Sequence, residues 1–227
     1  MEQSAEGADH NPILAALGAR RSVYHVNKLL PLSAEEVCTL VKAAVRAAER
    51  LSADDVPHST RVVLLLGSAH DAFWDLVADQ IHRVASPATA AVGAAKVDHS
   101  MKAAAVTLLF YSDTRVESSI AARLTRLGHD GDDMAAVMGT RGVAAAEMAV
   151  WTALACAGIG ATLHHYNVLV EQLVTQQLQL PPWWRMQSQM PLGGVARPPD
   201  AKSYAPMEDR CIVVGAAGDA SPSELSL

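Results

Sequence analysis

The stretch that most limits what this chain can fold into runs from Arg141 to Asn167, RGVAAAEMAVWTALACAGIGATLHHYN. Met148, Trp151, Thr152 and Ala155 recur at three and four positions among small residues, which is the period of an α-helix. The segment carries so little polarity that this helix belongs at the centre of the fold. Gly158 follows the last periodic residue, where a C-terminal cap is expected. Gly160, two residues on, lets backbone pass close to another chain or to a flat ligand. A short β-like segment then leads to Asn167.

The 227 residues suffice for one sizeable core, and nothing forces a second. The expected organisation is a lead-in over residues 1–10, one domain over 11–214 and a tail over 215–227. Hydrophobic residues make up 50% of the chain but aromatics only 4%, and alanine supplies much of the difference, which favours close-packed helices over a β-sandwich. A net charge of −6 with no run of lysine or arginine argues against nucleic acid as a partner. Cys38, Cys156 and Cys211 are far apart in apolar surroundings and are expected to be reduced core residues. The longest apolar run, residues 103–110, is too short to span a bilayer, and the acidic start lacks a secretion signal, so a soluble, cytoplasmic protein is expected.

Asn11-Pro12 opens a helix through Ile13, Leu14 and Leu17 that ends at Arg20-Arg21-Ser22, before a loop through Tyr24 and Pro31. Ser33 and Glu36 form a capping box for a helix with Val37, Leu40, Val41, Ala44 and Val45 on one face, reaching about Arg50. Residues 61–67 (RVVLLLG) have the pattern of a buried central strand, and Ser68 is expected to cap a helix carrying Phe73, Leu76, Val77 and Ile81 inward. Residues 104–111 are a second buried strand, a helix over 113–127 stops at Gly128, and a polar turn at 129–133 leads into the long helix. Past Asn167 a helix through Leu169 and Leu178 ends before Pro181-Pro182. Residues 184–192 alternate as a strand that Gly193-Gly194 breaks, and 210–214 form a last strand. The class is mixed α and β around one sheet.

The glycines at 158 and 160 lack the third glycine of G-x-G-x-x-G and follow a helix rather than a strand, and no Walker loop is present. Phosphate recognition is left to dispersed cations that the fold would bring together: Arg20 and Arg21 with Ser22 near the start, and Lys202 near the end. Arginine suits the role because its planar fork holds two phosphate oxygens at once. The plainer reading of the basic pair is a complement to the helix dipole. His164 and His165 alternate across a strand and cannot share a site, and the turn at 129–133 lacks calcium-loop spacing, so no metal site is expected. No G-x-S-x-G elbow or Cys–His pairing supports a hydrolase or thiol enzyme.

Several blocks in a fixed order resemble the nitroreductase family of flavoproteins, most closely its fungal-type branch. They are Arg20-Arg21-Ser22-Val23-Tyr24; RVVLLLG at 61–67 followed by His70-Asp71 and Trp74; AVWTAL at 149–154; residues 158–167; Gln189-Met190-Pro191-Leu192-Gly193; and Lys202-x-x-x-Pro206-x-Glu208-Asp209-Arg210. The resemblance spans residues 13–214. It implies an α+β nitroreductase-like fold, a central mixed sheet flanked by helices in an intertwined homodimer, with one flavin mononucleotide (FMN) in each of two interface pockets. It also implies that NADH or NADPH gives hydride to the flavin, which passes electrons in ping-pong fashion to a nitroaromatic, quinone or related small-molecule acceptor. Such chemistry belongs to the cofactor and asks for no acid–base pair of the protein. On the same ground Arg20, Arg21 and Ser22 would hold the phosphate and ribityl end, with Lys202 as a second phosphate cation. Ile159, Gly160 and Ala161 would pass their backbone beside the flavin ring, and the helix through Trp151 would form much of the dimer core.

The chain departs from that pattern at residues 52–58, SADDVPH, where the family carries a P-S-S-x-N-x-Q type loop that reaches the flavin. The asparagine falls on Val56 and the glutamine on His58, which can still donate one hydrogen bond. The family's histidine and serines before the long helix are Arg141, Gly142 and Val143 here. The alternative that these changes raise is a flavin-poor or flavin-free dimer acting as a regulatory or binding module.

Overall fold

A computed structural model describes residues 11–49, 58–203, 210 and 212. The expected lead-in, most of the altered loop (52–57), residues 211, 213 and 214 of the expected last strand and the tail therefore lie outside the described residues, and Arg210 and Ile212 are not in strand.

Asn11 caps the first helix, α1 (Pro12–Ala19), through its side-chain oxygen, which accepts from the N–H of Ile13 at 2.9 Å and of Leu14 at 3.4 Å. A short strand, β1 (Val26–Asn27), lies within the stretch expected to be loop. The capping box forms: Ser33 donates to Glu36 Oε2 through both N and Oγ at 2.8 Å, and Glu36 N returns to Ser33 Oγ at 3.2 Å, opening α2 (Ala34–Glu49). The chain continues through β2 (Thr60–Leu66), α3 (Ser68–Val84), α4 (Pro87–Lys96), a π turn (Val97–Met101), β3 (Val106–Asp113), α5 (Thr114–Arg126), α6 (Gly131–Cys156), β4 (Ile159–Ala161), α7 (Asn167–Gln177) and β5 (Trp184–Val195).

The sheet runs β1-β5-β3-β2 with β4 also paired to β5, every strand pairing antiparallel. The parallel component expected of a mixed sheet is confined, among the described residues, to the single bridge between Ser22 and Ala161. Helices cover both faces. Val106, Leu108 and Phe110 point toward α2 and α6, while Leu109 and Tyr111 point toward α3 and α7, so β3 is buried along its whole length.

Several further expectations change. Among the described residues the strand at 60–66 pairs with β3 alone, so it is an edge strand and only partly buried. Ser68 is the first helical residue of α3; the cap position is Gly67, at φ 53°, and no side chain caps this end. The turn expected at 129–133 is already helix from Gly131, with Asp132 and Asp133 in the first turn where the dipole favours them. Finally, β5 is not broken by Gly193-Gly194 but runs through both. A Cβ at Gly194 would lie 1.9 Å from Leu29 O and one at Gly193 would lie 2.3 Å from Asn27 O, so the glycines are what allow β1 to lie against β5.

The long helix α6 buries one stripe, Val143, Ala146, Val150 and Leu154, in its own protomer. The face named from sequence behaves differently: Met148 is 44% exposed, and Trp151, Thr152 and Ala155 are half-buried. Cys156 is exposed and Cys38 half-buried, so neither is the core residue expected, and Cys211 lies outside the described residues. Among the described residues no helix is long and apolar enough to cross a membrane.

Candidate functional site

Arg20, Arg21, Ser22 and Lys202, from opposite ends of the chain, line one cleft of about 350 Å³ together with Tyr24, His25, Arg197 and Asp200. Its first wall is fixed by β4: Ser22 bridges Ala161, and Val23 N donates to Ala161 O at 3.0 Å. Its second wall follows β5, since Ala196 N and Arg197 N both donate to His25 O, at 2.9 and 3.3 Å. Arg21 joins the two walls by donating from Nη2 to Asp200 O at 2.8 Å. The sequence signalled this convergence through its cations, but His25, Arg197 and Asp200 enter only because β1 pairs with β5.

Arg20 is held differently. It is the C-cap residue of α1, yet α1 buries none of its own residues in the protomer. The guanidinium carbon instead lies 4.5 Å from the centroid of the Trp151 ring on α6. Arg20 Nε and Trp151 Nε1 are both buried without a hydrogen-bond partner among the described residues.

Ile159, Gly160 and Ala161 form buried β4, paired with β5 on one edge and reached by Ser22 and Val23 on the other. A Cβ at Gly160 would meet Val23 and Val26 side chains at 3.0 Å. The close approach expected of this glycine is thus made by the chain's own valines, and the three residues support Ser22 from below. His58 does not line the cleft. It lies beside Gly139 and Gly142 of α6, with Arg61 Nη1 donating to its carbonyl at 2.7 Å. At 1.5 Å rise per residue, Gly142 is roughly 13 Å along α6 from Trp151. Within one protomer His58 and Arg20 therefore belong to different places.

The two adjacent histidines separate as expected: His165 is exposed, and His164 is buried, its Nε2 at 2.8 Å from Thr162 Oγ1 and its backbone paired with Gln189. Glu147 of α6 accepts a hydrogen bond from buried Ser188, and burial holds its carboxyl above the ordinary range. On the other face His70 Nδ1 lies 2.8 Å from Thr107 Oγ1, which also accepts from Trp74 Nε1 at 2.7 Å. That cluster ties α3 to β3. Among the described residues no group of His, Cys, Asp and Glu is arranged to hold a metal ion.

His164 makes a prediction about acid stability. Burial, reinforced by Lys96 and His165, pushes it down to about 4 from its ordinary 6.5. The unfolded chain therefore takes up the proton more readily. The contribution is complete above about pH 6.5 and is lost as pH falls toward 4, a total of roughly 3 kcal/mol. His70, lowered by burial as well, acts in the same direction. Urea unfolding at pH 7 and near 4.5 should show a smaller acid loss for His164→Gln than for wild type. An equal loss in both would mean that His164 is not the group responsible.

An antiparallel sheet covered by helices on both faces, with a cation-lined cleft at one end, defines an α+β protein whose cleft has the charge to hold an anion. No protein-family model matches the chain. The yeast (Saccharomyces cerevisiae) nitroreductase FRM2 is 26% identical over 196 residues, covering 84% of this chain and 92% of FRM2. HBN1 of the same yeast, which carries the nitroreductase name provisionally, is 27% identical over 193 residues with the same coverage. The solved nitroreductase CinD from Lactococcus lactis, in complex with chloramphenicol, superposes with a TM-score of 0.74 at 29% identity, covering 89% of this chain and 99% of that one. CinD has also been solved with nicotinic acid and with 4-nitrophenol. A structure from Desulfovibrio desulfuricans in complex with FMN shares the fold alone, with a TM-score of 0.59 at 16% identity. The chain thus has the nitroreductase fold and is similar in sequence to nitroreductases over most of its length.

Proposed function

We propose that the protein is an FMN-dependent NAD(P)H oxidoreductase that reduces nitroaromatic, quinone or related acceptors as a homodimer. The observation that carries this reading is the cleft joining Arg20, Arg21 and Ser22 to Lys202. The residues fit a phosphate monoester: an arginine fork and a hydroxyl stand on one wall, a lysine on the other, and Arg20 Nε is a buried donor without an acceptor. Arg20, Arg21, Ser22 and Lys202 would hold the phosphate end of FMN, while Ile159, Gly160 and Ala161 support Ser22 through β4. His58 would join the site from the second copy. Bound FMN would supply the redox chemistry, taking hydride from NADH or NADPH and giving electrons to the acceptor.

The dimer reading is supported by the unpartnered surface of α1 and α6. Ile13, Leu17 and Met148, 67%, 40% and 44% exposed, line an apolar groove of about 660 Å³ with Ala145, Ala149 and Thr152. A short helix that buries nothing in its own protomer needs a second surface to stay formed.

The purified protein should carry a flavin absorbance spectrum, or acquire one with added FMN, and NADPH or NADH should bleach it under anaerobic conditions. Adding 4-nitrophenol should restore the colour. A colourless protein that takes up no FMN would overturn this reading in favour of a flavin-free binding module. Arg20→Ala should weaken FMN binding by about 1–3 kcal/mol, the scale of a lost charged hydrogen bond. An unchanged dissociation constant would remove Arg20 from the site.

A further inference from the structure

We infer that Trp151 is a positioning residue for the anion site, setting the orientation of Arg20 so that its guanidinium donors face the phosphate of the bound flavin. The inference rests on the flavin reading above and adds to it a residue that touches no phosphate itself.

Arg20 follows a helix with no buried residues, so α1 does not fix it from behind. Neighbouring Arg21 is fixed by its bond to Asp200 O, and Ser22 by its bridge to Ala161. The corresponding fixed contact of Arg20 is the Trp151 ring, 4.5 Å from its guanidinium carbon. A guanidinium over an indole face is attracted by the ring quadrupole and can lie flat against it, an arrangement that leaves its in-plane N–H groups directed outward. Arg20 Nε is buried and has no acceptor among the described residues. Trp151 is half-buried, on a helix whose neighbouring Val150 and Leu154 are buried in the core. The contact thus joins Arg20 to a helix whose inward stripe is buried in the core. Lysine could not replace this arginine, having no flat face to lay on the ring.

The test is titration of the full chain with FMN and with riboflavin, which differs by lacking the phosphate, followed by quenching of flavin fluorescence. Trp151→Leu should weaken FMN by about 3- to 30-fold, the range of a cation–π contact from exposed to desolvated. It should leave riboflavin nearly unchanged. Trp151→Phe, which keeps an aromatic face, should recover most of the loss. In an Arg20→Ala background, Trp151→Leu should cost FMN nothing further. Equal weakening of FMN and riboflavin, or full additivity with Arg20→Ala, would reduce Trp151 to packing and overturn the inference while leaving the flavin reading intact. A wild-type protein that binds neither flavin would overturn both. Should Trp151→Leu fail to fold, Trp151→Met takes its place: it fills the site without an aromatic face, and it should weaken FMN while sparing riboflavin; FMN affinity equal to wild type would overturn the inference.

Discussion

In the homodimer proposed above, Met148→Asp should break the pair into monomers of 24.0 kDa by light scattering. Met148 sits in the middle of the groove between α1 and α6, among Ala145, Ala149, Ile13 and Leu17. Seating a second copy there would strip water from the new carboxylate with no cation in the groove lining to receive it. Burying an unpaired charge costs on the order of 3 kcal/mol or more, about a hundredfold in the dimer dissociation constant. In the free monomer the same aspartate is solvated and costs little, so the loss falls on association and not on folding. FMN affinity should fall with it, since α1 leads directly into Arg20 and His58 would no longer be supplied by a partner. A variant that remains dimeric would place the interface elsewhere on the molecule.

Gly194→Val should be the most destabilising single substitution in the sheet. Its Cβ would stand 1.9 Å from Leu29 O and 2.7 Å from Asn27 Oδ1, and the first of these is backbone that cannot rotate away. Either β1 is displaced from β5 or β5 bends, at about 3 kcal/mol or more. For a chain of this size that lowers the melting temperature by roughly 6–12 °C. The effect should extend to the cleft, because His25 follows β1's displacement and its carbonyl anchors Ala196 and Arg197. Flavin affinity should therefore drop together with stability. Exposed Val195→Thr, one residue on, provides the control, and a melting temperature as low for it as for Gly194→Val would mean that crowding at Gly194 is not the cause.

Local chemistry was legible in the chain wherever the decisive partners are near in sequence. Asn11 and the Ser33/Glu36 pair cap the helices they were expected to cap, because a cap involves atoms two or three residues apart. β3 was recognisable because a strand buried on both faces is apolar throughout. The family resemblance brought Arg20, Arg21, Ser22 and Lys202 to one anion site, and the fold lines one cleft with all four.

What failed depended on neighbours from elsewhere in the chain. Residues 60–66 read as central because leucine and valine runs do not record whether a strand is paired on one side or two. The two glycines of β5 read as a break because the backbone that needs their missing side chains, at Asn27 and Leu29, lies far away in sequence. The α6 face with Met148 and Trp151 read as core because periodicity reports that a helix is apolar, not which stripe meets its own sheet. The sequence by itself determined which cations were available to an anion and where the capped helices and the doubly buried strand lie, since charge and local hydrogen bonding are properties of the residues. Only the tertiary structure decided that Trp151 carries Arg20, that β4 supports Ser22, and that His58 lies apart from them, because those facts are distances between segments that pair or stack only once the sheet has formed.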